Sequence, residues 1–303
     1  MAVSRGALAL VVASLLWGTT GTAASFLPDA VSPLATGAAT MTLGGAALFA
    51  VSARGAVRVL RDRVARGWVA LGAVGVFAYP LAFYSGMDLA GVAVGNVVAL
   101  GSGPIFAAVL EWSVDGDRPG RRWAVATGLA GVGIALLPFG VAIRETDAGA
   151  AMLAGVLLGL VAGAAYALYT YASGKVITDP RRPHDSRAVM GAMFGVGALL
   201  LSPVLVIFGA PILQNPTSIA ITLYLVVGPM FIAYLLFGFA LGTIRSSAAT
   251  TITLIEPVVA TILAVVVVGE RLSALGWIAV VLIVGGVFVM ASARRGEIVE
   301  HPS

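Results

Sequence analysis

AATTITLIEPVVATILAV, residues 248–265, is an apolar run long enough to cross a bilayer, yet Glu256 and Pro257 stand near its middle. A carboxylate is costly in hydrocarbon and is normally turned toward a cavity or a partner helix. Pro257 has no N–H and clashes with the carbonyl four residues earlier, which predicts a kink and a carbonyl at Thr253 without its helical donor. The same design recurs at residues 95–112, GNVVALGSGPIFAAVLEW, where Pro104 frees the carbonyl of Leu100. Two interrupted helices at corresponding places in two halves of a chain point to a substrate site between them.

The composition agrees. Of 303 residues, 59% are hydrophobic and 11% charged, whereas soluble domains carry about a quarter charged residues. The charges fall in short islands between apolar runs of about twenty residues, the length that crosses a hydrocarbon core. A net charge of +4 raises the question of nucleic acid, but the basic residues sit in short loops without interleaved aromatics, so none is expected as a partner. The chain has no cysteine, and His184 and His301 lack ligand partners at metal-binding spacing. No metal or cofactor is expected. Arg5 before an apolar stretch, with Ala23, Ala24 and Ser25 after it, has the outline of a signal peptide. The segment is long enough to span, however, and has a counterpart in the second half, so it reads as a retained helix.

Ten spans follow, at 6–27, 34–53, 68–87, 91–113, 123–143, 150–172, 188–208, 218–241, 248–268 and 275–293. Of the 18 Lys and Arg residues, all but Arg144 and Arg271 lie on the side of the N-terminus. That asymmetry places both termini in the cytoplasm. Trp68, Trp112, Trp123 and Trp277 fall at span ends, as headgroup-level indoles do, and Trp17 alone sits mid-span.

The chain also repeats. Gly116–Arg118 (GDR) answers Gly269–Arg271 (GER), Pro104 answers Pro257, and LALVVASLLW ending at Trp17 resembles LLGLVAGAAY ending at Tyr166. Five spans per repeat is an odd number, so the second copy enters the membrane in the opposite sense. The expected division is 1–148, a first five-helix repeat; 149–293, its inverted partner; and 294–303, a cytoplasmic tail. Gly155, Gly159 and Gly163 line one helix face and would admit another backbone.

The stretch EPVVATILAVVVVGERLSALGWIAVVLIVGGV, Glu256 to Val287, resembles the signature of EamA-type members of the drug/metabolite transporter superfamily. GPIFAAVLEWSVDGDRPGRRWAVATGLAGVGI, from Gly103, is a weaker copy, and LLWGTTG at Leu15–Gly21 resembles that family's first helix. The resemblance covers all ten spans and extends to YddG-type exporters of amino acids. It implies an all-α fold of ten transmembrane helices in two inverted repeats around a central cavity, and export of amino acids or similar small metabolites. The first half has Gly103 where Glu256 stands in the second, so the carboxylate is not duplicated.

The candidate substrate-binding residues are Trp17, Tyr79, Asn96, Ser102, Tyr166, Tyr234, Thr253 and Glu256. Glu256 reads either as a proton-coupling or amine-binding carboxylate, or as a structural acid bonded to a neighbouring helix. The mid-depth rings of Trp17, Tyr79, Tyr166 and Tyr234 either line a cavity or pack between helices. Asn96, Ser102 and Thr253 either bond a substrate or join helices. An intramembrane enzyme would need an acidic metal cluster or a His/Asp dyad, and the sequence offers neither. Exporters of nucleotide-type metabolites would want cavity Lys or Arg, and none lies mid-span. Export of cationic drugs remains open beside that of amino acids.

Overall fold

A computed structural model describes residues 5–116, 120–140, 146–241, 252–253 and 255–293. The first pass is split into α1 (Arg5–Gly18) and α2 (Thr20–Ala24), and the next four are α3 (Pro33–Arg61), α4 (Arg63–Ala90), α5 (Val92–Asp115) and α6 (Arg121–Gly140). The second half runs α7 (Thr146–Ile177), α8 (Ser186–Phe208), α9 (Pro216–Leu225) and α10 (Ala233–Leu241), then α11 (Ile255–Leu263) and α12 (Ala274–Ala293). A π-helical segment, Val226–Ile232, joins α9 to α10, and a second, Ala264–Val268, extends α11. Among the described residues, seven helical passes are long and apolar enough to cross a membrane, and Ala124–Leu136, Ile255–Val268 and Ala274–Val289 are shorter apolar helices. The fold is that of an all-α, polytopic membrane protein.

Local chemistry fixes the helix ends. Ser32 accepts from the Ala35 amide at 3.2 Å and Pro33 occupies the first turn of α3. Asp62 ends α3 and begins α4, accepting from Val64 N at 2.9 Å and Ala65 N at 3.3 Å. Asn215 does the same for α9 through Thr217 N at 2.8 Å. α4 begins before its expected span because the Asp62 cap carries the helix past the apolar stretch, and it ends at Gly91.

The expected interruption at Pro104 does not occur: α5 continues through it to Asp115. Around Pro257 the described residues 252–253 and Ile255–Leu263 are helical, and residue 254 lies outside the described residues. The backbone irregularities lie elsewhere, at the α1–α2 break and in the two π segments, one of which contains Pro229. Such bulges gather at functional sites.

The two halves interlock. α3 packs along α8 and α6 along α12, each pairing corresponding passes of the two halves. α4 and α5 both pack on α7, while α10 and α11 both pack on α1. The glycine face of α7 is what lets α4 and α5 approach. A Cβ at Gly155 would lie 2.7 Å from Ala90 N and one at Gly163 2.7 Å from Ala99 O. The largest core cluster sits between α3, α4, α7 and α8 around Phe194, Met193, Leu201, Val69 and Tyr169. Trp112 and Trp277 are exposed at helix ends and Trp68 packs on Tyr171, whereas the side chain of Trp123 lies outside the described residues.

Cross-half ties close both ends. Beside the N-terminal end of the bundle, Arg182 pairs with Asp62 at 2.7 Å, His184 Nε2 lies 3.3 Å from the same carboxylate, and Lys175 pairs with Asp115. Partial desolvation of Asp62 is outweighed by the Val64 and Ala65 amides, His184 and Arg182, which hold its carboxyl down at about 2. At the opposite end, Glu270 accepts from the backbone amides of Val92 and Ala93, the latter at 3.0 Å, and so caps α5 from the other half of the chain.

Candidate functional site

α1 reaches mid-depth at Trp17, where the helix is about to break. The Trp17 indole Nε1 donates to the carbonyl of Pro229 at 2.9 Å, inside the first π segment. Its ring meets Tyr234 edge-on at 5.3 Å between centroids and Phe237 at 5.6 Å, both on α10. Tyr234 continues to Phe194 of α8 at 5.0 Å, and Phe194 to Tyr169 of α7 at 5.6 Å. Tyr169 meets Tyr166 at 5.3 Å and Tyr79 of α4 at 6.1 Å, and Tyr79 stacks on Phe83 at 5.2 Å. The hydroxyls of Tyr169 and Tyr234 lie 3.2 Å apart, joining α7 to α10. Rings from five helices thus form one continuous belt through the middle of the bundle, at spacings where edge and offset contacts are favourable.

Glu256 stands beside this belt. It is half-buried on α11. Its carboxyl lies within electrostatic range of the hydroxyls of Tyr79, Tyr166 and Tyr234. α1 presses against it: a Cβ at Gly18 would lie 2.7 Å from Val259 and 3.2 Å from the Glu256 carbonyl. Where the second half carries Glu256 the first carries Gly103, and the edge of Tyr166 fills that place, 2.9 Å from where a Cβ would be.

Five of the eight expected residues, Trp17, Tyr79, Tyr166, Tyr234 and Glu256, therefore gather in one place. Ser102 is buried in the α5–α7 seam, its hydroxyl pressed against Gly163 and 3.4 Å from the Ala99 carbonyl. Thr253 is half-buried one turn before Glu256. Asn96 is fully buried on α5. Sequence reasoning passed over Tyr169, Phe83 and Phe237. Each stands three or four residues from a ring that was singled out, which is the spacing of neighbours on a helix face. Phe194 carries no such signal.

The belt brings together aromatic faces and a carboxyl group. Aromatic faces attract a cation and supply contact area to apolar groups, and a single carboxylate supplies the opposite charge for an amine. Among the described residues, no three His, Asp or Glu side chains converge as a metal site would require.

Comparison with known proteins agrees with this architecture. The EamA-like transporter family matches residues 4–139 and again residues 153–292. YwfM, an uncharacterized transporter of Bacillus subtilis strain 168, is 35% identical over 294 residues, covering 96% of this chain and 95% of that protein. An uncharacterized transporter of Clostridium kluyveri is 28% identical over 169 residues, 54% of this chain and 52% of its own length. A solved crystal structure superposes with a TM-score of 0.62 at 25% identity, covering 98% of this chain and all of its own. Two family matches that together span nearly the whole chain, on a fold of apolar helical passes, identify a multi-pass membrane transporter: the chain belongs to the EamA-like transporter family.

Proposed function

We propose that this transporter exports small amine-bearing solutes, foremost amino acids with apolar or aromatic side chains, across the bacterial cytoplasmic membrane. Transport proceeds by alternating access, with residues 1–148 and 149–293 rocking about the ring belt and residues 294–303 forming a cytoplasmic tail. The observation that carries this reading is a belt of Trp17, Tyr234, Tyr169, Tyr166 and Tyr79 beside one carboxylate, Glu256. An apolar side chain would lie against the rings, with Glu256 supplying the charge opposite to the cargo's ammonium. No Lys or Arg is placed mid-span to hold a phosphate, which argues against nucleotide-type cargo.

A second reading, export of organic cations that lack a carboxylate, is favoured by the same carboxylate and rings. Counterflow in proteoliposomes separates the two. Preloaded phenylalanine should drive uptake of labelled phenylalanine, and tyrosine and leucine should compete while sugar phosphates do not. Competition by quaternary ammonium compounds without competition by any amino acid would establish the second reading instead.

A further inference from the structure

Asn96 is 0% exposed, and neither its Oδ1 nor its Nδ2 has a hydrogen-bond partner among the described residues. A buried carboxamide left unpaired in this way is destabilising, and such groups call for an explanation in terms of function. Its position supplies one. Asn96 lies one helical turn after Val92, which touches Gly21 of α2, and two turns before Gly103, which touches the Tyr166 ring. Positions 92, 96 and 103 share one face of α5, so the amide sits on the strip that runs from α2 to the ring belt. The contacts of Gly18 with Glu256 and of Gly21 with Val92 put Asn96 near the depth of Glu256. Along the helix, Asn96 and Gly103 are roughly 10 Å apart, a distance suited to an amino acid with its head at Asn96 and its side chain among the rings. α2 and the π segment after α11 close over this strip, and both belong to passes with a broken or bulged backbone.

We infer that Asn96 reads the head group of an α-amino acid, Nδ2 donating to the carboxylate and Oδ1 accepting from the ammonium. A carboxamide presents one donor arm and one acceptor arm side by side, and an α-amino acid presents the complementary acceptor and donor on adjacent atoms. This assignment rests on the amino-acid reading above and adds the requirement that the cargo carry both groups.

The test measures dissociation constants by titration calorimetry on the purified full chain with L-phenylalanine, phenethylamine and 3-phenylpropionate, the last two each lacking one arm. The native protein should prefer phenylalanine to either analogue by about ten-fold or more, the scale of a hydrogen bond to a charged group. In Asn96→Leu that preference should collapse to within about two-fold, with an unfolding midpoint at or above that of the native protein, because an unpaired buried amide has been replaced by an apolar isostere. Asn96→Asp, near-identical in shape, retains the ammonium arm and repels the carboxylate, so it should favour phenethylamine. An undiminished preference for phenylalanine in either folded variant overturns the role of Asn96 while leaving the amino-acid reading in place. Absence of phenylalanine binding by the native protein overturns both.

Discussion

Glu270 is the tie whose removal has the most readable consequence. Its carboxylate takes the Val92 and Ala93 amides at the start of α5 from 178 and 177 residues away, so it acts both as a helix cap and as a clamp between the halves. Gly91, with φ of +89°, leaves the space: a Cβ there would lie 3.0 Å from Glu270 Oε1. Loss of a capping side chain costs about 0.5–2 kcal/mol, and loss of the charge at the positive end of the helix dipole about 0.3–1 kcal/mol more. Glu270→Ala should therefore cost about 2 kcal/mol, and Glu270→Gln, which keeps an acceptor but no charge, about half as much. At about 2–4 °C per kcal/mol for a chain of this size, the unfolding midpoint should fall by roughly 4–8 °C and 2–4 °C respectively. Fluorescence-detected size-exclusion after heating measures this directly in detergent, with the exposed neighbour Arg271→Ala as the control. Midpoints for Glu270→Ala and Arg271→Ala that coincide would refute the clamp.

Three other consequences can be tested with the same preparation. Gly163→Ala places a methyl group against Ser102 and the Ala99 carbonyl in the α5–α7 seam, so overpacking of about 1–3 kcal/mol should lower both midpoint and yield; a normal midpoint would contradict the close approach. Asp62 is held at about 2, below its ordinary 3.8, so its stabilising contribution is complete above pH ~4 and is lost as pH falls toward 2; Asp62→Asn should remove that low-pH component of the unfolding profile and leave the neutral range flat. The chain has no cysteine, so introduced thiols report topology cleanly: Arg61→Cys and Arg182→Cys should be labelled only from the cytoplasmic face and Asp147→Cys and Asn215→Cys only from the other. Labelling of Arg61→Cys and Asn215→Cys from one face would overturn the ten-span ordering.

The passes were legible in the sequence because membrane thickness imposes a length on any apolar helix, and the charge islands mark where each one ends. The family signature around Glu256 and Gly269–Arg271 was legible for the same reason that any local motif is: its residues are close in the chain. The role of Glu270 in that turn was not legible, since its partners lie in the other half and only tertiary packing brings them together. Pro104 was read as a break, yet it is absorbed inside α5, while π bulges form at 226–232 and 264–268. One bulge contains Pro229, a local signal passed over in the sequence, whereas the other, Ala264–Val268, contains no proline. The depth of Trp17, Tyr79, Tyr166 and Tyr234 was enough to nominate them, and packing then joined them through Tyr169 and Phe194.

Cargo binding at the ring belt, as proposed, is tested most sharply at Trp17. Trp17→Ala removes a ring wall and its bond to Pro229 at one end of the belt while leaving Glu256 in place. An aromatic pair contributes about 0.5–1.5 kcal/mol beyond area burial, so the affinity for phenylalanine in counterflow should fall roughly three- to ten-fold further than that for threonine. A packing defect would lower transport of both alike. Equal losses for phenylalanine and threonine, at normal expression, would exclude Trp17 from cargo binding and return it to the scaffold.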